Sequence, residues 1–159
     1  MEQPPLSQLE QWMDSALDLA RLAADRKEVP VGALVVRLDG SDEIVGRGWD
    51  RRVELQDPTA HAEILALREA GQNTGDWRLE NCALIVTLEP CLMCAGATLL
   101  ARVPLLVIGA DNPKFGAAGG RMDSLSGHGW NHSVEIIRGI RKEPCAAILR
   151  DFFRSLRSD

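Results

Sequence analysis

The sequence predicts an α/β domain in three layers, with helices on both faces of a mixed central sheet. Short strand-like apolar runs alternate with segments of helical period, and several of those runs are apolar throughout, so they need cover on both sides. At 159 residues with 45% hydrophobic content, the chain is the size of one core, and residues 1–159 are read as a single domain.

The elements follow in order. Ser7-Gln8-Leu9-Glu10 reads as a capping box, and Leu9, Trp12, Met13, Ala16, Leu19, Ala20 and Ala23 recur behind it at helical spacing. Val31 to Leu38 and Glu43 to Trp49 are strand-like, and Asp39-Gly40 between them signals a hairpin. A helix is predicted from His61, entered through Asp57-Pro58-Thr59-Ala60 and continued by the apolar run Ile64-Leu65-Ala66-Leu67. Cys82 to Leu88 is a buried strand, Leu92 to Ala101 a helix, and Val103 to Gly109 a further strand. Val134 to Arg138 is read as a fifth strand, and Pro144 to Leu156 as a last helix with its proline in the first turn. Asp111 to Asn131 is the longest irregular stretch. Its glycines offer a phosphate cradle, but no strand-and-helix fingerprint frames them, and a plain surface loop is the preferred reading.

Charge and composition narrow the function classes. A formal net charge of −5 argues against a protein whose whole surface binds nucleic acid. The cations are unevenly placed, however: Arg138, Arg141, Lys142, Arg150, Arg154 and Arg157 face only Glu143 and Asp151 in the same stretch. That stretch is either a phosphate-facing patch or an ordinary solvated helix face. Met1-Glu2-Gln3-Pro4-Pro5 has neither a basic n-region nor an apolar h-region, and no segment is long enough to cross a bilayer. A cytoplasmic protein with no membrane contact is therefore expected, and in a reducing compartment a Cys-x-x-Cys near a histidine reads as metal binding.

The chemistry lies in His61-Ala62-Glu63 and Pro90-Cys91-Leu92-Met93-Cys94. One imidazole and two thiols hold Zn²⁺ through three protein ligands and leave the fourth tetrahedral position to water, as in catalytic sites. Cys91 and Cys94, three apart, share a face of a helix that starts after Pro90, and a helix N-terminus favours the thiolate that zinc requires. His61 and Glu63 are two apart and converge only at a helix mouth. Glu63 is then the proton carrier. A closed structural zinc with His128 or His132 as fourth ligand would leave Glu63 without a role. Cys82 and Cys145 read as buried apolar residues with no metal role.

The pattern H-x-E…P-C-x-x-C is that of zinc nucleobase deaminases, and over nearly its whole length the chain resembles the bacterial tRNA adenosine deaminases of the cytidine-deaminase superfamily. The resemblance runs through Glu28-Val29-Pro30-Val31-Gly32-Ala33, Asp57 to Glu63, Thr87 to Ala97, Gly116-Ala117-Ala118-Gly119, Asn131-His132 and Asp151-Phe152-Phe153-Arg154. It implies a cytidine-deaminase-like fold, one zinc on His61, Cys91 and Cys94, and proton shuttling by Glu63. It also implies a homodimer acting on a tRNA anticodon loop, with substrate contacts at Asp50, Asn112 and Lys114. Two of these contacts depart from the family pattern: Asp50 stands where the family has an asparagine, and Asn112 where it has an aspartate. Arg51 to Gln56 is also unlike a typical member. The competing classes are a deaminase of free guanine or cytosine, and a zinc-stabilised RNA-binding module without catalysis.

Overall fold

A computed structural model describes residues 2–158. In chain order its elements are α1 (Leu6–Asp25), β1 (Gly32–Arg37), β2 (Ile44–Trp49), α2 (Arg52–Leu55), α3 (Ala62–Thr74), β3 (Cys82–Leu88), α4 (Leu92–Leu100), β4 (Leu105–Ala110), β5 (Glu135–Ile137) and α5 (Lys142–Ser158). The strands form one sheet in the order β2-β1-β3-β4-β5. β1 runs antiparallel to β2 and β3, whereas β3, β4 and β5 are parallel, so the sheet is mixed.

Alternation along each strand divides the core between two faces. Leu34 and Val36 of β1, Ile85 of β3, and Leu105 and Val107 of β4 pack with Leu9, Trp12 and Met13 of α1 and Cys145 of α5. Their neighbours Ala33, Val35, Leu84, Val86, Leu106 and Ile108 face the other way, onto Ala62, Ala66 and Ala70 of α3 and Ala95 of α4. Helices thus cover both faces, which gives the three layers. Cys82 and Cys145 are unpaired and fully buried in this core.

Glycines decide how close α3 comes. A Cβ on Gly46 would lie 2.2 Å from the Ala66 carbonyl oxygen, and one on Gly48 only 2.1 Å from that of Ala62. The helix therefore rests directly on the backbone of β2, and its first turn is fixed against the sheet.

Several local expectations are corrected. Pro5, not Ser7, is the N-cap of α1, and no side chain caps that end. The extended Pro5 (φ −64°, ψ 154°) starts the helix with its own carbonyl, which accepts from the N–H groups of Gln8 and Leu9, so Ser7 falls inside the first turn. The hairpin expected around Asp39-Gly40 is present, with β1 and β2 antiparallel, but its connection is wider than a two-residue turn. Residues 38–43 form a longer loop in which Asp39 accepts from the Ser41 amide and hydroxyl, and the register shifts between Val35 and Val36. α5 starts at Lys142, two residues earlier than expected, which keeps Pro144 in the first turn, where no intrahelical N–H bond is lost. α2 was not anticipated at all.

Candidate active site

Two helix N-termini, those of α3 and α4, meet beyond the C-terminal ends of β2 and β3, on either side of the start of β1. His61 is the N-cap of α3 and Cys91 the N-cap of α4, both with extended backbone (φ −77°, ψ 154° and φ −71°, ψ 176°). An extended N-cap frees the side chain from helical periodicity, which is why His61 and Glu63 converge although they are two apart. Cys91 sits just outside its helix and Cys94 in the first turn. The Nδ1 of His61 is 3.7 Å from Cys91 Sγ and 3.5 Å from Cys94 Sγ, and the three donor atoms lie within 4.8 Å of one another. Ligands at about 2.0 Å (N) and 2.3 Å (S) around a tetrahedral zinc are roughly 3.5–3.8 Å apart. Both histidine–cysteine distances have that spacing, and the donor set suits zinc.

The same crowding sets the protonation of the site. Cys91 is pulled down to about 3 by the hydrogen bond from Cys94 and then by that from His61. Cys94 is pushed up because its thiol donates to Cys91 and is buried. His61 is raised by its hydrogen bond to Cys91. Glu63, buried in the first turn of α3, is pushed up to about 7 by that burial. A carboxyl group poised near neutrality is suited to both taking and giving a proton.

His61, Glu63 and Cys91 open into a cavity of about 970 Å³ that Asp50, Asn112 and Lys114 also line. All the residues singled out from sequence are thus brought together, with Cys94 buried behind Cys91. Asn112 is held as a turn: its Oδ1 accepts from the Phe115 amide at 3.1 Å, and its own N–H donates to Glu89 at 3.2 Å. His132 contacts the Val103 carbonyl and His128 that of Asp123, so neither is part of the triad.

Other lining residues were not anticipated: Arg52 beside Asp50, Phe115 in the loop, and Leu149, Phe153, Leu156 and Arg157 on α5. The clue for the last group was the apolar stripe of α5, which the core leaves largely uncovered, since Cys145 is its only buried residue.

The glycine-rich loop proves to be neither a phosphate cradle nor a plain surface loop. Its amides are taken by the chain's own Glu89, whose buried carboxylate accepts from Asn112 N–H at 3.2 Å, Ala118 N–H at 3.0 Å and Gly120 N–H at 2.7 Å. Arg138 completes the nest at 2.7 Å and also reaches Asp111. Any Cβ on Gly116 or Gly120 would lie within 2.4–2.5 Å of that carboxylate group. Glu89 directly precedes the Pro90-Cys91 turn, so one side chain ties the cysteine turn to the loop that carries Asn112 and Lys114.

The C-terminal cations mostly pair within the chain, which of the two readings of the stretch favours an ordinary solvated face. Arg141 pairs with Glu10 and Asp14 of α1, Lys142 with Asp111, Arg150 with Glu143, and Arg154 with Asp151. Arg157 lines the cavity.

The model of the MafB19-like deaminase family matches residues 7–157. The tRNA-specific adenosine deaminase of Haemophilus influenzae is 44% identical over 94% of this chain and 86% of its own length. The tRNA(Ile)-lysidine synthase of Deinococcus radiodurans is 49% identical over 96% of this chain, which spans only 26% of that protein. Among solved structures, one from work on A-to-I editing by tRNA:A34 deaminases superposes with a TM-score of 0.82 at 40% identity, covering 87% of this chain and 99% of its own. No helix of the described residues is long and apolar enough to cross a membrane.

Proposed function

The chain belongs to the MafB19-like deaminase family, and from that premise we propose that it hydrolyses adenosine to inosine and ammonia at the wobble position of a tRNA anticodon loop. The observation that carries this reading is a His-Cys-Cys triad beside a buried glutamate in a cavity large enough for a nucleoside. His61, Cys91 and Cys94 are the residues that would hold zinc, one ion per chain. Bound there, zinc supplies hydroxide at neutral pH by bringing the pKa of water down toward ~7.

Glu63 does the proton work. Its carboxylate takes a proton from the attacking water and passes it to the purine ring nitrogen next to C6, then takes the proton of the new C6 hydroxyl and gives it to the amine, which leaves as ammonia while the C6 carbonyl forms. The reaction balances as adenosine plus water giving inosine plus ammonia. A stacked base cannot enter this cavity, so the substrate is a nucleotide splayed out of a loop. Asp50, Asn112 and Lys114 are the proposed substrate contacts.

A homodimer belongs to the same proposal. It is supported by an exposed apolar groove between α3 and α4, flanked by Trp77 (58% exposed) and Leu100 (69%), a patch of the kind that association covers. Sedimentation of Leu100→Glu against the wild-type chain tests it, with a shift to monomer expected.

The decisive assay is ammonia release and inosine formation on an anticodon stem-loop, set against a panel of free bases. Turnover of the stem-loop alone is expected. Turnover of free guanine or cytosine instead would make the chain a small-molecule deaminase.

A further inference from the structure

Where the family resemblance leads one to expect a neutral amide the chain has Asp50, and the structure pairs that carboxylate with a cation. Asp50 is buried in the cavity wall, and its carboxylate is gripped by its own neighbour. Arg52 Nε lies 3.1 and 3.0 Å from the two carboxylate oxygens and Nη2 3.0 Å from Oδ2, while the Arg52 amide donates to Oδ1 at 3.1 Å. Two of the five guanidinium N–H groups are used in this fork, and no other hydrogen bond among the described residues uses the rest.

The mounting is rigid. Buried Glu28 accepts from the Val53 and Glu54 amides at 3.0 and 2.8 Å, Arg51 N–H donates to the Ala60 carbonyl, and Asp57 N–H to that of Arg52. Arg51 packs over the Trp49 ring and pairs with Glu54. Arg52 lines the cavity together with His61 and Glu63.

We propose that Arg52, oriented by Asp50, is a specificity-determining residue that donates a hydrogen bond to N7 of the substrate purine. This inference rests on the adenosine deaminase reading. In adenine, C6 is flanked on one side by the ring nitrogen that Glu63 protonates, and on the other, across C5, by the acceptor N7. A bare Asp50 carboxylate would set acceptor against acceptor. With its oxygens engaged by Arg52, the pair instead presents charged donors on that side, and the aspartate becomes a positioning residue. Cytosine offers only a C–H at the corresponding place and leaves the guanidinium unpaired, so pyrimidines are rejected by the same group.

The test uses anticodon stem-loops with adenosine or 7-deazaadenosine at the target position. Replacing N7 by carbon removes the acceptor and also makes C6 less electrophilic, so the informative quantity is the ratio of kcat/KM values, compared between wild type and variant. Wild type is expected to prefer adenosine by about 10–100-fold, the range for leaving a charged donor unpaired. Arg52→Met, with zinc content and melting behaviour retained, is expected to lose adenosine activity and shrink that preference by about tenfold. If Arg52→Met does not fold, Arg52→Lys carries the comparison, because it keeps the charge but not the fork. Equal losses on both substrates, or a wild type that treats them alike, overturn the role of Arg52. Absence of inosine from the adenosine stem-loop is a distinct result: it removes the deaminase reading, and this inference with it.

Discussion

Glu63 is buried, sits two residues from a proposed zinc ligand, and is pushed up to about 7. A carboxyl group in that setting is a proton carrier and not a ligand, so Glu63→Gln is expected to keep zinc and fold while kcat falls by at least ~10²–10⁴-fold. Single-turnover rates with metal analysis of the same sample check both halves; near-normal turnover would overturn the mechanism. Glu89 makes the opposite case, a buried carboxylate whose oxygens are already taken by three backbone amides and Arg138. Arg138→Met removes the charged partner from its nest and leaves three amides in place. Because Arg138 is itself a third exposed, water partly replaces it, and a loss of about 3 kcal/mol in urea unfolding is expected, the lower end for a broken buried pair. KM should rise as well, since the loop bearing Lys114 loses its anchor. His61, Glu63, Cys91 and Cys94 were legible in the sequence because short spacings at helix ends fix their geometry. The Glu89–Arg138 pair was not, since its partners are 49 residues apart and nothing local announces them.

At the scale of elements, the contact between α3 and β2 sets the position of His61 and Glu63. Gly48→Ala drives a methyl group against the Ala62 carbonyl at 2.1 Å, and neither neighbour is a flexible side-chain tip. The first turn of α3 must lift, so a destabilisation of about 1–3 kcal/mol is expected together with weakened zinc retention. Thermal melts and metal content, compared with Gly96→Ala, whose added methyl meets nothing within 4 Å, separate this from a general glycine effect. Unchanged zinc retention in Gly48→Ala would show that the contact does not position the site. The strands and long helices were readable from period and apolarity. α2 escaped notice because its four residues are held by Glu28, 25 and 26 positions upstream of the amides it caps, and not by any local helical signal. The Asp39-Gly40 signal does mark a hairpin, since β1 and β2 pair antiparallel; only the width of its loop, built as Asp39 engages Ser41, was not implied by the glycine.

Across the whole molecule, the distribution of charge separates cations that build the fold from those that face the cavity. Sequence alone grouped six C-terminal cations into one stretch, but folding pairs Arg141 with α1, Lys142 and Arg138 with Asp111, and Arg150 and Arg154 with acids on α5 itself. Lys114 and Arg157 come from distant parts of the chain to the cavity lining. Binding of an anticodon stem-loop should therefore weaken with salt, but with a slope set by these few groups and not by all six. Each phosphate contact to a single-stranded loop contributes about 0.7 to the slope of log K against log salt. Lys114→Gln and Arg157→Gln are each expected to reduce the slope by roughly that amount and to weaken binding across loop sequences alike. Arg141→Gln should leave the slope unchanged and instead lower stability slightly, because its pairs with Glu10 and Asp14 are partly exposed. If Arg141→Gln flattens the salt dependence as much as Lys114→Gln, the ion pairs between α5 and α1 open on binding, and the outer face of α5 meets RNA after all.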